Sequence, residues 1–157
     1  MPTNPVVTFG MMVGAALADF RRRAGVTQKD AATGAGMSQS ALSKTERGDS
    51  ALTAERLSTL VAFVNYYSGP GHERFTSGEV LDLADGMSAV AYGAGVTVLM
   101  RGSAGLAPGV AARLVGRKAL EAMMERARGG EVAPMTSAQI LGQKRGARGA
   151  EPPDPSK

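Results

Sequence analysis

The stretch Thr27–Gly48, TQKDAATGAGMSQSALSKTERG, decides the reading of this chain. It predicts two short helices joined by a tight turn. Thr27 caps the first helix, with Asp30 three residues on as a shortened capping box. Gly36 supplies the positive φ that ends that helix and permits a short connection. Ser38 caps the second helix, expected from about Gln39 to Arg47. Ala32 is small enough to let the two helices approach closely, and Leu42 returns to the core from the second. Ala41, Leu42 and Thr45 turn inward, which leaves Gln39, Ser40, Ser43 and Lys44 directed outward.

A small residue, a glycine and an aliphatic at these offsets make the helix-turn-helix layout, in which the second helix lies in the DNA major groove. The outward side chains suit base edges. Glutamine pairs bidentately with adenine, lysine donates to guanine, and serine serves either. On Thr27-Gln28, Ala32, Gly36-Met37-Ser38-Gln39, Leu42-Ser43 and Glu46-Arg47-Gly48, the segment from about Gly10 to Asn65 resembles the lambda-repressor-like (Cro/cI, XRE) family. The resemblance covers roughly a third of the chain. It implies that Gln39, Ser40 and Lys44 read bases, that Ser38 and Arg47 flank them on the backbone, and that Gln28 bonds a phosphate. Two residues depart from the family pattern. Ala31 stands where leucine is usual and Thr45 where isoleucine or leucine is usual, and both shrink the local core. Asp49 stands where relatives often carry a base, so backbone contact from that loop is expected to be weak.

Outward from this stretch, Val13, Leu17 and Phe20 recur at helical spacing and predict a helix from about Gly10 to Arg23. Its arginine run, Arg21 to Arg23, suits either a solvated helix end favoured by the helix dipole or phosphate contact, with Arg22 the candidate. Lys29 is read the same two ways. Glu46, an acid beside a DNA-facing helix, is expected to turn inward and pair with one of these arginines. A further helix begins at Thr53, with Leu57, Leu60, Val61 and Val64 as its buried stripe.

The expected organisation is mainly α. A flexible arm spans residues 1–9, a four- to five-helix domain 10–66, a linker 67–75, an amphipathic helical region 76–128 and a disordered basic tail 129–157. In the fourth segment Thr76 and Glu79 make a capping box ahead of Val80, Leu83, Ala84 and Met87. Val96 to Met100 suits a short strand or a buried helical turn. Pro108 suits the first turn of another helix with Leu114, Leu120, Met123, Met124 and Ala127 on its apolar side. These two faces are expected to pack on each other, on the helix from Thr53, or across a homodimer, which is preferred.

Composition narrows the function classes. The chain has no cysteine and a single histidine, His72, which leaves no thiolate site or cysteine nucleophile and little to build a zinc site or serine triad on. No metal, no cofactor and no enzymatic activity are therefore expected. The net charge of +4 favours an anionic partner, and residues 101–157 hold ten basic against five acidic side chains. Lys144, Arg145 and Arg148 in the tail suit solubility more than DNA contact. No stretch reaches the roughly 18 apolar residues a bilayer span needs, so a cytoplasmic, nucleoid-associated location is expected. A self-cleaving repressor built on Ser103 and Lys118 is disfavoured because too little chain follows for a β-rich peptidase domain. A small-molecule pocket in Gly93 to Gly109 is disfavoured too. The reading is a sequence-specific regulator of transcription, a repressor, on double-stranded DNA. The alternative is an antitoxin or interaction module gripping a protein partner through residues 76–128.

Overall fold

A computed structural model of the protein describes residues 3–100 and 111–130. In chain order the elements are β1 (Thr3–Thr8), α1 (Phe9–Arg23), α2 (Gln28–Gly34), α3 (Gln39–Glu46), α4 (Ala54–Tyr67), α5 (Ser77–Gly93), β2 (Thr97–Leu99), β3 (Ala111–Leu114) and α6 (Arg117–Arg128). The fold is mainly helical, with one small sheet. Among the described residues no helix is long and apolar enough to cross a membrane.

Local chemistry sets the helix starts. The hydroxyls of Thr8, Thr27, Ser38, Thr53 and Thr76 each accept a backbone N–H from three residues on. At Thr76 the box closes, because its own N–H donates to Glu79 Oε2 at 2.9 Å. The α2–α3 turn closes at Gly36, whose φ of 69° lets Met37 N–H reach the Ala32 carbonyl at 2.9 Å. Gly48 ends α3 the same way with a φ of 79°, and a Cβ there would also lie 2.6 Å from the Met11 backbone nitrogen.

The N-terminus corrects an expectation. Rather than a flexible arm, Thr3–Thr8 is the middle strand of a sheet ordered β2-β1-β3, parallel to both neighbours. Val6 sits opposite Thr97 on one side and Leu114 on the other. Val6 and Val7 are both buried, so the two faces of the strand are both covered. Pro5 lies outside the β2 ladder, where β1 has one neighbour, and the missing N–H is tolerated. β1 then runs straight into α1 through the Thr8 cap.

Val96 to Met100 does contain a strand, β2. The stretch around Leu114 is a second correction. Ala111–Leu114 is strand β3, Leu114 is exposed, and α6 begins only after Gly116. Leu120, Met123, Met124 and Ala127 recur at i, i+3, i+4 and i+7, a stripe with which Leu114 is out of phase. The helix start expected at Pro108, Ser103, and the tail with Lys144, Arg145 and Arg148 lie outside the described residues.

One continuous core joins the whole. It runs from Val7 and Met12 through Leu17, Leu42 and Leu60 to Val80, Met87, Met123 and Met124. α5 and α6 therefore add a layer to the 10–66 unit. α5 packs along α1 and α6 packs on α5, and a Cβ at Gly86 would lie 3.1 Å from that of Ala127. Of the apolar residues on the faces for which a dimer was preferred, Val80, Ala84, Met87, Met123 and Met124 are buried within the chain itself. Nor is 67–75 a free linker. Phe75 is buried, stacked on Phe20 at 4.7 Å, and both its backbone groups bond the Asn65 side chain. At the far end of α6, Arg128 pairs with Asp19 and lies 5.5 Å over the Phe20 ring.

Candidate nucleic-acid interface

Residue spacing on α3 sorts its side chains before any contact is considered. Leu42 and Thr45 are buried, with the Thr45 hydroxyl donating to the Ala41 carbonyl at 3.0 Å, so its polar atom costs the core little. Ala31, the other departure from the family pattern, is fully buried as well. Opposite this inner face Gln39, Ser40 and Lys44 are exposed and Ser43 is half-buried. Four polar residues expected to read bases thus lie together on the outer side of one short helix.

The helix is held from behind by an ion pair. Arg21 Nε and Nη2 donate to the two Glu46 oxygens at 2.8 and 2.9 Å, and Nη1 donates to the Val26 carbonyl at 2.9 Å. The two side chains are only 7% and 5% exposed. A planar fork meeting both carboxylate oxygens is the arrangement that compensates for burying two charges. Glu46 does turn inward, and of the three candidate arginines it takes Arg21. α1 and α3 come close enough for this because Gly14 has no side chain. A Cβ there would stand 2.5 Å from the Glu46 carbonyl oxygen.

The residues expected on the DNA backbone fall into two kinds. Lys29, Arg22 and Arg47 are exposed, Arg47 in a 3.2 Å pair with Asp49. Ser38 is exposed too, but its hydroxyl is engaged in capping α3. Gln28 is half-buried, and its Nε2 donates to Glu46 Oε1 at 2.6 Å, joining the start of α2 to the pair behind α3. This bracing contact was not legible in the sequence, since it depends on where Glu46 points.

Two basic residues outside the expected set stand close to this surface. Arg56 on α4 places Nη1 3.8 Å from the Met37 sulfur, beside the turn that leads into α3. Arg117, the first residue of α6, borders a cleft with Ser43 and Arg47. Neither has a local signal, because each reaches the surface through packing against distant elements. Among the described residues, no group of His, Cys, Asp and Glu could hold a metal ion.

An exposed polar face on a capped short helix, braced by α1 and presented by a glycine turn, defines a helix-turn-helix of the DNA-binding kind. Residues 13–75 match the family model described as a helix-turn-helix domain, and this part of the protein is such a domain, of the type found in DNA-binding regulators. The matched span reaches Phe75, the residue stacked on α1. No curated protein and no solved structure matches the chain.

Proposed function

We propose that the protein is a sequence-specific repressor that occupies operator DNA, with α3 in the major groove. Gln39, Ser40, Ser43 and Lys44 read base edges. Lys29, Arg22, Arg47 and Ser38 hold the backbone, and Gln28 adds the second N–H of its Nε2. The observation that carries the reading is the outer face of α3, where those four polar residues gather opposite Leu42 and Thr45. The protein acts by binding rather than by chemistry, and its place is with the nucleoid. One module reads few bases, so two copies would bind half-sites about one helical turn apart.

Recovery of bound genomic fragments tests the reading and yields both a consensus and its symmetry. Gln39→Ala is expected to weaken the preferred site by about 1–3 kcal/mol and to spare random DNA. An equal loss on both sequences rejects base reading by this residue.

A further inference from the structure

We propose that α6 makes a DNA-backbone contact of its own through Arg117, so that the footprint extends beyond the helix-turn-helix. The inference rests on the reading of α3 as the groove-facing helix. Gln39, Ser43 and Arg47 recur at i, i+4 and i+8 and form one stripe, beside the stripe of Ser40 and Lys44. Ser43 and Arg47 form one side of a cleft of about 480 Å³, Arg22 of α1 another, and Arg117 of α6 a third. Three elements distant in sequence thus bring guanidinium groups to one recess at the edge of the reading face. A DNA strand following the wall of a groove occupied by α3 passes along this edge.

Three acids border the same cleft, and each is already engaged. Glu46 is held by Arg21 and Gln28. Asp49 pairs with Arg47 at 3.2 Å and Glu121 with Arg117 at 3.3 Å, all four side chains being 57% exposed or more. Exposed pairs of this kind contribute little to stability. A phosphodiester can therefore replace the carboxylate at small cost, with a guanidinium fork suited to its oxygens. Arg22 supplies positive charge that no acid of the cleft is seen to balance. α6 is anchored for this at its other end, where Met123 and Met124 are buried and Arg128 is clamped to Asp19. A contact made from α6 would not read sequence. It adds affinity, and with it salt dependence.

The test titrates full-length protein onto its recovered site and onto a random duplex of about three helical turns, across a series of salt concentrations. Arg117→Gln is expected to weaken both by the same factor and to lower the slope of log K against log salt by about one. Glu121→Gln removes the same ion pair and is expected to keep wild-type affinity or raise it. If the pair served only to stabilise α6, the two variants would behave alike, and equal losses overturn the proposal. A wild-type slope in Arg117→Gln overturns it too, and leaves the function reading standing if Gln39→Ala still loses the preferred site. A wild-type protein that binds neither duplex rejects both.

Discussion

The unit formed by α2, α3 and α4 and the layer formed by β1, α5 and α6 both lean on α1, but they are built differently. In the first, caps, turn glycines and apolar stripes lie within a few residues of what they control. Ser38 caps α3, Gly36 ends α2, and Leu57, Leu60, Val61 and Val64 line one face of α4. In the second, the decisive contacts join segments far apart in sequence, 109 residues for Arg128 and Asp19. Val6 pairs with Thr97 and Leu114, and Arg128 reaches back to Asp19. The helix-turn-helix thus carries its instructions locally, while the supporting layer is assembled by closing long loops, whose entropy must be offset by burial.

The comparison breaks if the two parts prove energetically separate, and the largest test sits where α1 meets α3. Glu46→Ala strands Arg21 in a buried site and is expected to cost about 3–5 kcal/mol by denaturant titration. A paired Arg21→Met, Glu46→Leu variant should recover much of that loss, since apolar replacements need no partner. Retained stability in Glu46→Ala alone would remove the brace from the account.

Next is Met87, fully buried on α5 within the common core. Met87→Ala is expected to cost about 2–5 kcal/mol and to lower one shared transition. Two transitions, with only amides of α5 and α6 exchanging faster, would show that the layer unfolds by itself and that α1 does not couple the parts.

Gly14→Ala sharpens the same point at smaller amplitude. A methyl group would meet the Glu46 carbonyl, so α1 and α3 must separate, at about 1–3 kcal/mol in a thermal melt. An unchanged melting temperature would mean that the approach is looser than described. The smallest expected effect is Thr76→Ala, which removes the cap of α5 for about 1 kcal/mol. Its loss should appear mainly as faster amide exchange in the first turn of α5.

Much of the site was legible because helix caps and periodicity act over three or four residues. The cap at Ser38 and the exposure of Gln39 and Lys44 follow from their own neighbours. That Glu46 turns inward followed from the cost of an acid beside DNA, but the choice of Arg21 depended on how α1 crosses α3. Gln28 shows the limit. Its amide is held by Glu46, 18 residues on, a partner no local pattern names. Leu114 was misplaced because Gly116 separates a strand from a helix whose apolar residues share its composition and not its phase.

The amino-acid sequence by itself determined the helical character of α1 to α6 and the turn that presents α3, since propensity, capping and a 3.6-residue period are properties of neighbouring residues. Only the tertiary structure decided that Thr3–Thr8, with Pro5 inside it, becomes the middle strand of a sheet. Only it brought Arg117 to the cleft that Ser43 also lines, and buried Met87, Met123 and Met124 in the common core. Those outcomes follow from which distant surfaces exclude water together, a quantity that no window along the chain contains.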